Sequence, residues 1–587
     1  MKSKRVWNLA NLYSSPKDPR IEKDIKAFED AAIAFANKYD TQDKKWLESV
    51  DSILAALNDF EQLIENDTDK YLMYFYFLRD TDASNKDSAS NIPLLEDRST
   101  KAGNKLTFFR LALGSINKEK QKEYLGDKKL SRFKVFLSRI FDDAKFHLSL
   151  PEEKIISLKS MPAYDMWVSG SRKATNLLSV KWKGKSLPLA GALGKIQELP
   201  SQSERARLAA AMSAALKSNA LFAEAEINAV VTNKKINDEL RGYTTPSENT
   251  IRGYRNDPKV VERLVKTVTD AFPLAHRFYK LKARMMKLSK LNYSDRNAKI
   301  GQVKKKFDFD STAKVIKEAF GKMSPKYPKI FQELLDDGRI DVYPRIGKTS
   351  GAYCWGAYNV PTHVLLNHTD NLHSFTTTAH EMGHAFHTHM SKSQGALYCS
   401  YSTALAETAS TLFEAIALEH VYESLSDKEK IVVLHDKIND DMSTVFRQIA
   451  CFNFENDIHA TVRSKGFVSH EELADLHNKH MSAYLGKSFK MTRDDGYYFV
   501  HWGHIRRFFY VYSYAYGQLV SKALLRRYRA DKSFWISIEK FLSAGGKDSP
   551  ENILSEIGID VSSSEFWAEG LKEIEDDIAK LEKLARK

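Results

Sequence analysis

Apolar residues recur at intervals of three and four across residues 21–290, nearly half of this chain. At 3.6 residues per turn, such spacing gathers apolar side chains on one face of a helix. Polar breaks near residues 80–90 and 200–203 divide the region into separate helices. No repeat of fixed period accompanies the pattern, which argues against a solenoid. The sequence therefore predicts a mainly α-helical protein.

The length of the chain sets how many cores it can hold. At 587 residues it exceeds what one hydrophobic core usually organises, so we expect two subdomains or one multi-lobed body. The 89 Lys and Arg outnumber the 76 Asp and Glu, which gives a net charge of +13. Over so long a chain this excess is a mild signal for an anionic partner, and solvated helix faces explain most of it.

The pattern changes between residues 340 and 367. Short runs of β-forming residues occur there, punctuated by Gly347, Gly351, Gly356 and Pro361. We interpret them as a small antiparallel sheet. Helical periodicity returns at about Leu372 and is expected to continue through residues 404–422 and 504–529 to the end of the chain.

The helix predicted after the sheet carries the motif His-Glu-x-x-His. His380 and His384 are four residues apart and so share one helix face, where both imidazoles can bind one metal ion. Glu381 lies beside that face. From there it can take a proton from a metal-bound water without being a ligand itself. The motif therefore predicts a catalytic zinc site, which needs a third protein ligand.

Glu407 is the best candidate for that ligand, because it lies in the next apolar helix, 23 residues after His384. The alternative is a carboxylate paired with a buried Lys, Arg or backbone donor. Glu414 follows two turns later and can accept a hydrogen bond from a ligating imidazole, or it is an ordinary surface residue. His387 lies near the ligand face, but three ligands already suffice, so we expect it to line the cleft or play a structural role.

These residues belong to a wider similarity that covers essentially the whole chain. The chain resembles the oligoendopeptidase F branch of the thimet oligopeptidase family of zinc metallopeptidases. The matching segments are Trp-Asn-Leu-Ala-Asn-Leu-Tyr at 7–13, Leu-Arg-Gly-Tyr at 240–243, His-Arg-Phe-Tyr at 276–279, and Gly-Ala-Tyr-Cys-Trp-Gly at 351–356.

The resemblance implies roles for further residues. Glu407 and Ser410 match the Glu-x-x-Ser setting of the family's third zinc ligand. The family also places a His and tyrosines opposite the metal, which implies catalytic roles for His504, Tyr510 and Tyr514 as donors to the oxyanion of the transition state. The alternative is that the aromatic side chains of this segment pack in the core, and we favour packing for Tyr512 and Tyr516.

One departure concerns the same segment. The thimet oligopeptidase pattern is glycine-rich after the His and has a further tyrosine where this chain carries Gly517. We therefore do not expect a flexible loop here.

The implied fold is a mainly α, two-lobed zincin with a deep substrate channel and a small antiparallel sheet next to the His-Glu-x-x-His helix. Residues 1–195 would form a helical domain that is one wall or lid of the channel, and residues 196–587 the catalytic domain. The implied function is an endopeptidase with one Zn²⁺ per chain that cleaves short peptides. The sheet edge near residues 351–353 can pair with substrate backbone as an added strand.

Other functions stay open on the sequence alone. A zinc carboxypeptidase on a related helical fold would carry the same metal ligands. Nucleic-acid binding would use the arginines that lie among aromatic residues at 506, 507, 526 and 527. A peptide-binding protein without catalysis is disfavoured, because every expected catalytic position is filled. We expect short peptides as partners and neither nucleic acid nor membrane, and the oligomeric state is left open.

The cysteines and the N-terminus bear on the compartment. Cys354, Cys399 and Cys451 are odd in number and far apart, which is not typical of a disulfide framework. The first 15 residues contain no apolar core of a signal peptide, and no stretch approaches the roughly 18 apolar residues of a membrane span. The sequence thus predicts a cytoplasmic protein.

Overall fold

Helices dominate the structure, as predicted. The computed structural model describes residues 5–66 and 69–586, so the first four residues of the N-terminal segment examined above lie outside it. No helix in this part of the chain is long and apolar enough to cross a membrane. The helices before residue 200 are α1 (Pro19–Tyr39), α2 (Val50–Asn66), α3 (Lys70–Thr81), α4 (Lys86–Asn104), α5 (Thr107–Gly114), α6 (Lys118–Gly126), α7 (Lys134–Asp143), α8 (Leu150–Ser160), α9 (Met166–Asn176) and α10 (Leu189–Glu198).

The helices after residue 200 build most of the remaining structure. Those before the sheet are α11 (Gln202–Lys217), α12 (Ala220–Arg241), α13 (Glu248–Gly253), α14 (Pro258–Asp270), α15 (Phe272–Met285), α16 (Phe309–Gly321) and α17 (Lys326–Asp336). Those after it are α18 (Leu372–Ser391), α19 (Thr403–Tyr422), α20 (Asp427–Asp441), α21 (Arg447–Lys465), α22 (His470–Leu485), α23 (Tyr512–Ala530), α24 (Trp535–Leu542), α25 (Pro550–Ser555) and α26 (Ser564–Leu584).

The strands among the described residues are short and form three small sheets. They are β1 (Ser179–Trp182), β2 (Lys185–Pro188), β3 (Leu291–Asn292), β4 (Ile340–Asp341), β5 (Tyr353–Ala357), β6 (Val360–Leu365) and β7 (Phe489–Lys490). Strands β1 and β2 form a hairpin, and β3 pairs with β7 in parallel. The sheet before α18 has the order β4-β6-β5, which leaves β5 at an edge.

The predicted small sheet is present, but its strand directions are mixed. Strands β5 and β6 form the expected antiparallel hairpin, with Cys354 opposite Val364. Strand β4 instead runs parallel to β6, with Ile340 opposite Val364. Parallel neighbours cannot be joined by a tight turn. The 351–353 segment and β5 therefore intervene in the chain between β4 and β6.

Within residues 5–66 and 69–586, three clusters of buried apolar residues hold the helices together. The largest runs from Val180 to Leu581 and surrounds α18, α19 and α23. A second lies among α1, α2, α5 and α7, where the rings of Trp46 and Phe109 stack at 4.9 Å. The third joins the N-terminal segment to the sheet through Trp7, whose Nε1 donates to Val364 O at 2.9 Å. The predicted division after residue 195 stays a prediction.

The continuous helix predicted over residues 504–529 is wrong in its first third. Gly503–Arg506 is a 3₁₀ turn, and α23 begins only at Tyr512. Between them Phe508 and Phe509 have φ angles of 49° and 62°, in the left-handed region that bulky residues rarely adopt. Contacts from other helices fix this turn: Phe509 N donates to Glu455 Oε1 at 2.9 Å, and Thr250 Oγ1 donates to Phe508 O at 2.9 Å.

Candidate metal centre and active site

Helix α18 presents the two predicted imidazole ligands. It begins where the Asn371 side chain accepts a hydrogen bond from Ser374 N, and it then packs along α19. Gly383 makes this contact close, because a Cβ atom there would lie 2.7 Å from Ser410 Cα and 2.8 Å from Ala409 O. No side chain fits at that separation. The glycine inside the motif therefore brings the next helix against the two histidines.

Glu407 reaches the same point from α19. Its Oε2 lies 3.5 Å from His380 Nε2 and 3.8 Å from His384 Nε2. Ligand atoms about 2.0–2.1 Å from a shared tetrahedral zinc ion lie roughly 3.3 Å apart. The three side chains therefore fit a zinc ion with only small adjustments. They also leave one side open, as a catalytic site requires.

Further contacts orient these three groups. Glu414 Oε2 lies 3.0 Å from His380 Nδ1, two turns along α19 from Glu407. A proton on Nδ1, donated to this carboxylate, leaves the Nε2 lone pair for a metal. Ser410 Oγ donates to Glu407 Oε2 at 3.1 Å. Of the two roles that the sequence left open for Glu414, the structure therefore shows the contact with a predicted imidazole ligand.

The carboxylates favour positive charge at this point. Burial acts to lower the pKa of His380, but hydrogen bonds to Glu407 and Glu414 raise it to about 10. The pKa of Glu407 is lowered to about 2, because its contacts with the two histidines outweigh the opposing effect of burial. Burial and the neighbouring His380 charge lower the pKa of His384 to about 4, so this ring is neutral. A metal cation would satisfy the same electrostatic demand.

Glu381 lies beside the three groups without joining them. Its side chain is buried, and its Oε2 has no hydrogen-bond partner in the described part of the chain. Burial, together with the nearby carboxylates, raises its pKa to about 7. A carboxyl group poised near neutrality can accept and release a proton, which is the property required of a general base.

His504, Tyr510 and Tyr514 form one cluster. The Tyr510 hydroxyl lies 2.5 Å from His504 Nδ1, and the ring centroids of Tyr510 and Tyr514 are 5.7 Å apart. Burial lowers the pKa of His504 to about 4 and raises that of Tyr510. The imidazole is therefore neutral and the phenol protonated near pH 7.

Gly517 sets this cluster against α19. A Cβ atom at Gly517 would lie 3.1 Å from Glu407 Cβ, so α23 approaches the third predicted ligand closely. Tyr514 lies three residues earlier and therefore on the same face of α23. A side chain at this position would press on Glu407, so the glycine permits the close approach of α23 to α19.

The remaining aromatic and histidine candidates are packed in the core. Tyr512 is fully buried and its hydroxyl donates to Asn256 Oδ1 at 2.9 Å, while Tyr516 packs on Trp567. His387 is buried, and its ring stacks on Tyr401 with centroids 3.5 Å apart. Burial lowers the pKa of His387 to about 3. It belongs to the structural support and not to the group of predicted ligands.

A buried ion pair and a buried carboxylate hold the 503–511 segment, and the sequence did not reveal either contact. The Arg506 guanidinium donates to both carboxylate oxygens of Glu226, at 2.8–3.1 Å, and to three main-chain carbonyls of residues 499–502. Glu455 accepts from Phe509 N on the other side of the turn. Glu226 lies 280 residues from Arg506. Its one sequence signal is a carboxylate on the buried face of α12.

A second group of possible metal ligands lies elsewhere, at the start of α22. Glu224, His470 and Glu471 bring ligand atoms within 4.8 Å of one another. Glu224 Oε2 already accepts a hydrogen bond from His470 N at 2.6 Å, which supports the first turn of the helix. The buried carboxylate two residues from Glu224, Glu226, is already paired with Arg506.

Comparison with known protein families assigns the chain to one of them. Residues 196–573 match the model of peptidase family M3, and residues 113–173 match that of Oligopeptidase F. The chain belongs to peptidase family M3. This membership places it among the peptide hydrolases and confirms the predicted resemblance, and the His-Glu-x-x-His helix and Glu407 both lie inside the matched region.

Relatives of this M3 peptidase extend over its whole length. It is 24% identical to an oligoendopeptidase F homolog of Lactococcus lactis over 100% of this chain and 98% of that protein. It is 30% identical to the group B oligopeptidase PepB of Streptococcus agalactiae, over 56% of this chain. That match spans 55% of the PepB length, so the chain aligns with little more than half of this relative.

Solved structures share the fold. A crystal structure from Chlamydophila abortus superposes with a TM-score of 0.85 at 22% identity, covering 100% of this chain and 99% of that one. The oligoendopeptidase F of Enterococcus faecium superposes with a TM-score of 0.71 at 18% identity, covering 97% and 99%. The mainly α fold of the M3 peptidase is thus shared along its full length.

Proposed function

We propose that this M3 peptidase is a zinc-dependent endopeptidase that hydrolyses internal bonds of short peptides. The observation that carries the proposal is the convergence of Glu407 Oε2 on His380 Nε2 and His384 Nε2, at 3.5 and 3.8 Å, beside the buried Glu381. A bound zinc ion would polarise the scissile carbonyl and lower the pKa of the attacking water to about 7. The protein residues supply the remaining chemistry.

Glu381 is the proposed general base. Its partnerless oxygen accepts a proton from the attacking water, and its raised pKa lets it return that proton to the leaving amine. The Tyr510 hydroxyl is proposed to donate to the oxyanion that develops as the water attacks, while neutral His504, 2.5 Å away, donates its Nδ1–H to the Tyr510 oxygen and orients that hydroxyl. Such donors act in the transition state and so raise kcat.

The proposed substrate is an extended peptide. Strand β5 forms the edge of its sheet and packs against α18, so its free main-chain groups lie beside the predicted ligands. A peptide added along β5 gains main-chain hydrogen bonds with little dependence on sequence. This mode suits an enzyme that accepts many short peptides.

The other functions have weaker support. A carboxypeptidase would need a free substrate C-terminus for every cleavage, and the same ligands would serve it. Nucleic-acid binding loses two of the four arginines that suggested it: Arg506 is buried against Glu226, and Arg526 pairs with Asp576 at 2.8 Å. We also propose that the enzyme works in the cytoplasm, which its three unpaired cysteines support.

The test is digestion of a mixed peptide library, followed by mass spectrometry. We expect internal cleavage of peptides blocked at both ends, loss of activity with a chelator, and recovery with added zinc. Products that differ from the substrates only by loss of C-terminal residues, from unblocked peptides alone, would identify a carboxypeptidase. Full activity in the chelator would contradict the metal mechanism.

A further inference from the structure

A cavity of about 340 Å³ lies at the start of α19, the helix that carries Glu407. It is lined by residues of α7, of the turn after α13, of the start of α19, and of the segment leading into α25. Thr403, on its wall, lies four residues before Glu407, which is about 6 Å along the helix axis. Tyr401, also on the wall, stacks on His387 and places its hydroxyl 2.8 Å from Thr388 Oγ1.

Two arginines line this cavity. Arg139 is fixed on the wall because its Nη2 donates to Gly546 O at 2.7 Å and to Asp548 O at 3.0 Å. Neither acceptor is a carboxylate, and although Asp548 and Asp143 offset part of the guanidinium charge, Arg139 forms no ion pair among the described residues. Arg255 is held by Asp143 at 2.9 Å. One acid, Asp548, lies on the wall, and its Oδ1 accepts hydrogen bonds from Ser549 N and Asn552 Nδ2.

Helix α19 adds a positive end to the same cavity. Its first residue, Thr403, and the preceding Ser402 are both on the wall. The Ser402 side chain does not cap the helix, and its buried Oγ has no hydrogen-bond partner among the described residues. The amides at the start of a helix attract anions when no side chain caps them.

The positive groups also repel one another. Burial lowers the pKa of Arg139, and the charge of Arg255 lowers it further. The same two effects, in the same order, lower the pKa of Arg110, which has no ion pair within residues 5–66 and 69–586. The charge of Arg255 thus acts on both Arg139, on the cavity wall, and Arg110, while the Asp143 carboxylate that offsets part of this repulsion forms its ion pair with Arg255. An anion entering the cavity would relieve that repulsion.

We propose that this cavity binds a carboxylate of the peptide substrate, either its C-terminal carboxylate or the side chain of an Asp or Glu residue. The inference rests on the proposed function, because it takes the substrate to be a peptide bound beside Glu407. Planar guanidinium groups and uncapped helix amides both match the two oxygens of a carboxylate. Anchoring one carboxylate at a fixed distance from the candidate metal centre would favour peptides of particular length or sequence.

The test measures binding and not turnover. Fluorescein-labelled hexapeptides are compared by anisotropy on the full-length Glu381→Gln protein with zinc added, with mass spectrometry confirming that they stay intact. One pair differs only in a free or amidated C-terminus, and another only in an internal Glu or Gln. We expect loss of the recognised carboxylate to weaken binding about tenfold or more.

Variants of the cavity arginines test whether the loss of affinity arises in this cavity. Arg139→Gln combined with Arg255→Gln should bind the carboxylate peptide no better than its neutral partner. The matched control is Arg252→Gln, which removes a charge on α13 that pairs with Glu248 outside the cavity wall, and which should keep the full discrimination. Unchanged affinity for the neutral peptide would show that the double variant is folded.

Each outcome either identifies which carboxylate of the peptide is bound or contradicts the proposal. A loss confined to the amidated peptide identifies the C-terminus, and a loss confined to the Gln peptide identifies an acidic side chain. Affinities within about twofold in both pairs would overturn the inference, even if the double variant failed to fold. Discrimination that survives in a folded double variant would also overturn it. If the parent protein cleaves peptides but does not distinguish the carboxylate peptide from its neutral partner, only this inference is contradicted. If it distinguishes them but cleaves neither, only the proposed function is contradicted.

Discussion

His380 Nδ1 lies 3.0 Å from Glu414 Oε2, while Nε2 of the same ring lies 3.5 Å from Glu407 Oε2. Two carboxylates of α19, two turns apart, therefore contact the two nitrogens of one imidazole. One contact fixes the ring and its tautomer, and the other belongs to the proposed metal site. This arrangement makes α19 as important to the site as the helix that carries the motif.

Replacing Glu414 tests its part in that arrangement. Glu414→Ala should lower zinc affinity about 10- to 100-fold, because the ring loses the acceptor that orients it and strengthens its Nε2 lone pair. Competition with a zinc-sensitive dye measures the affinity directly. Glu423→Ala is the control, since Glu423 is exposed beyond the end of the same helix and pairs with Lys430. Equal zinc affinity in both variants would remove Glu414 from the site.

Glu381→Gln separates metal binding from chemistry. The amide keeps the shape of the side chain but cannot accept a proton, so we expect full zinc content and loss of nearly all turnover. Metal analysis and hydrolysis of an internally quenched peptide should be measured on one preparation. A turnover rate near that of the parent protein would require a different base.

Tyr510→Phe tests whether the cluster with His504 is catalytic. Loss of an oxyanion donor should lower kcat by about 10²- to 10³-fold with little change in KM. Tyr512→Phe is the matched control, because its hydroxyl bonds Asn256 in the core. That variant should lose about 1 kcal/mol of stability and keep its kcat within a few-fold. Small and equal kinetic effects would assign both tyrosines to packing.

The buried Glu455 predicts a pH-dependent stability. Burial raises its pKa to about 8 from the ordinary 4.5, so between these values the folded state holds a proton that the unfolded state releases. The contribution of Glu455 to stability therefore falls as the pH rises from 4.5 to 8. Glu455→Gln keeps an acceptor for Phe509 N but does not titrate.

The measurement for Glu455 is the midpoint of urea unfolding at pH 5 and pH 8. The urea midpoint of Glu455→Gln, compared with that of the parent protein, should be higher at pH 8 than at pH 5. Glu423→Gln, at the surface, should show no such gain. The same shift with pH in the parent and in Glu455→Gln would refute the assignment.

The parts that were predictable from sequence depend on local spacing. His380 and His384 share a face because four residues make about one turn, and Glu407 and Glu414 share a face because seven make about two. The start predicted at Leu372 for the motif helix is where α18 begins. In each of these cases one helix determines the outcome, so the spacing along the chain is sufficient.

The parts that were not predictable depend on distant partners. The 503–511 segment reads as a helix, yet Glu455 and Thr250 hold Phe508 and Phe509 in left-handed backbone. The buried pair of Arg506 and Glu226 joins positions 280 residues apart. Strand β4 pairs with β6 in parallel because the chain between them brings β6 back alongside β4. No local pattern encodes such contacts.

The most direct test of the zinc site is anomalous diffraction at the zinc edge from crystals grown with zinc. We predict one strong peak per chain, about 2.0–2.2 Å from His380 Nε2, His384 Nε2 and a carboxylate oxygen of Glu407. A peak only at Glu224, His470 and Glu471, or no peak beside Glu407, would contradict the account.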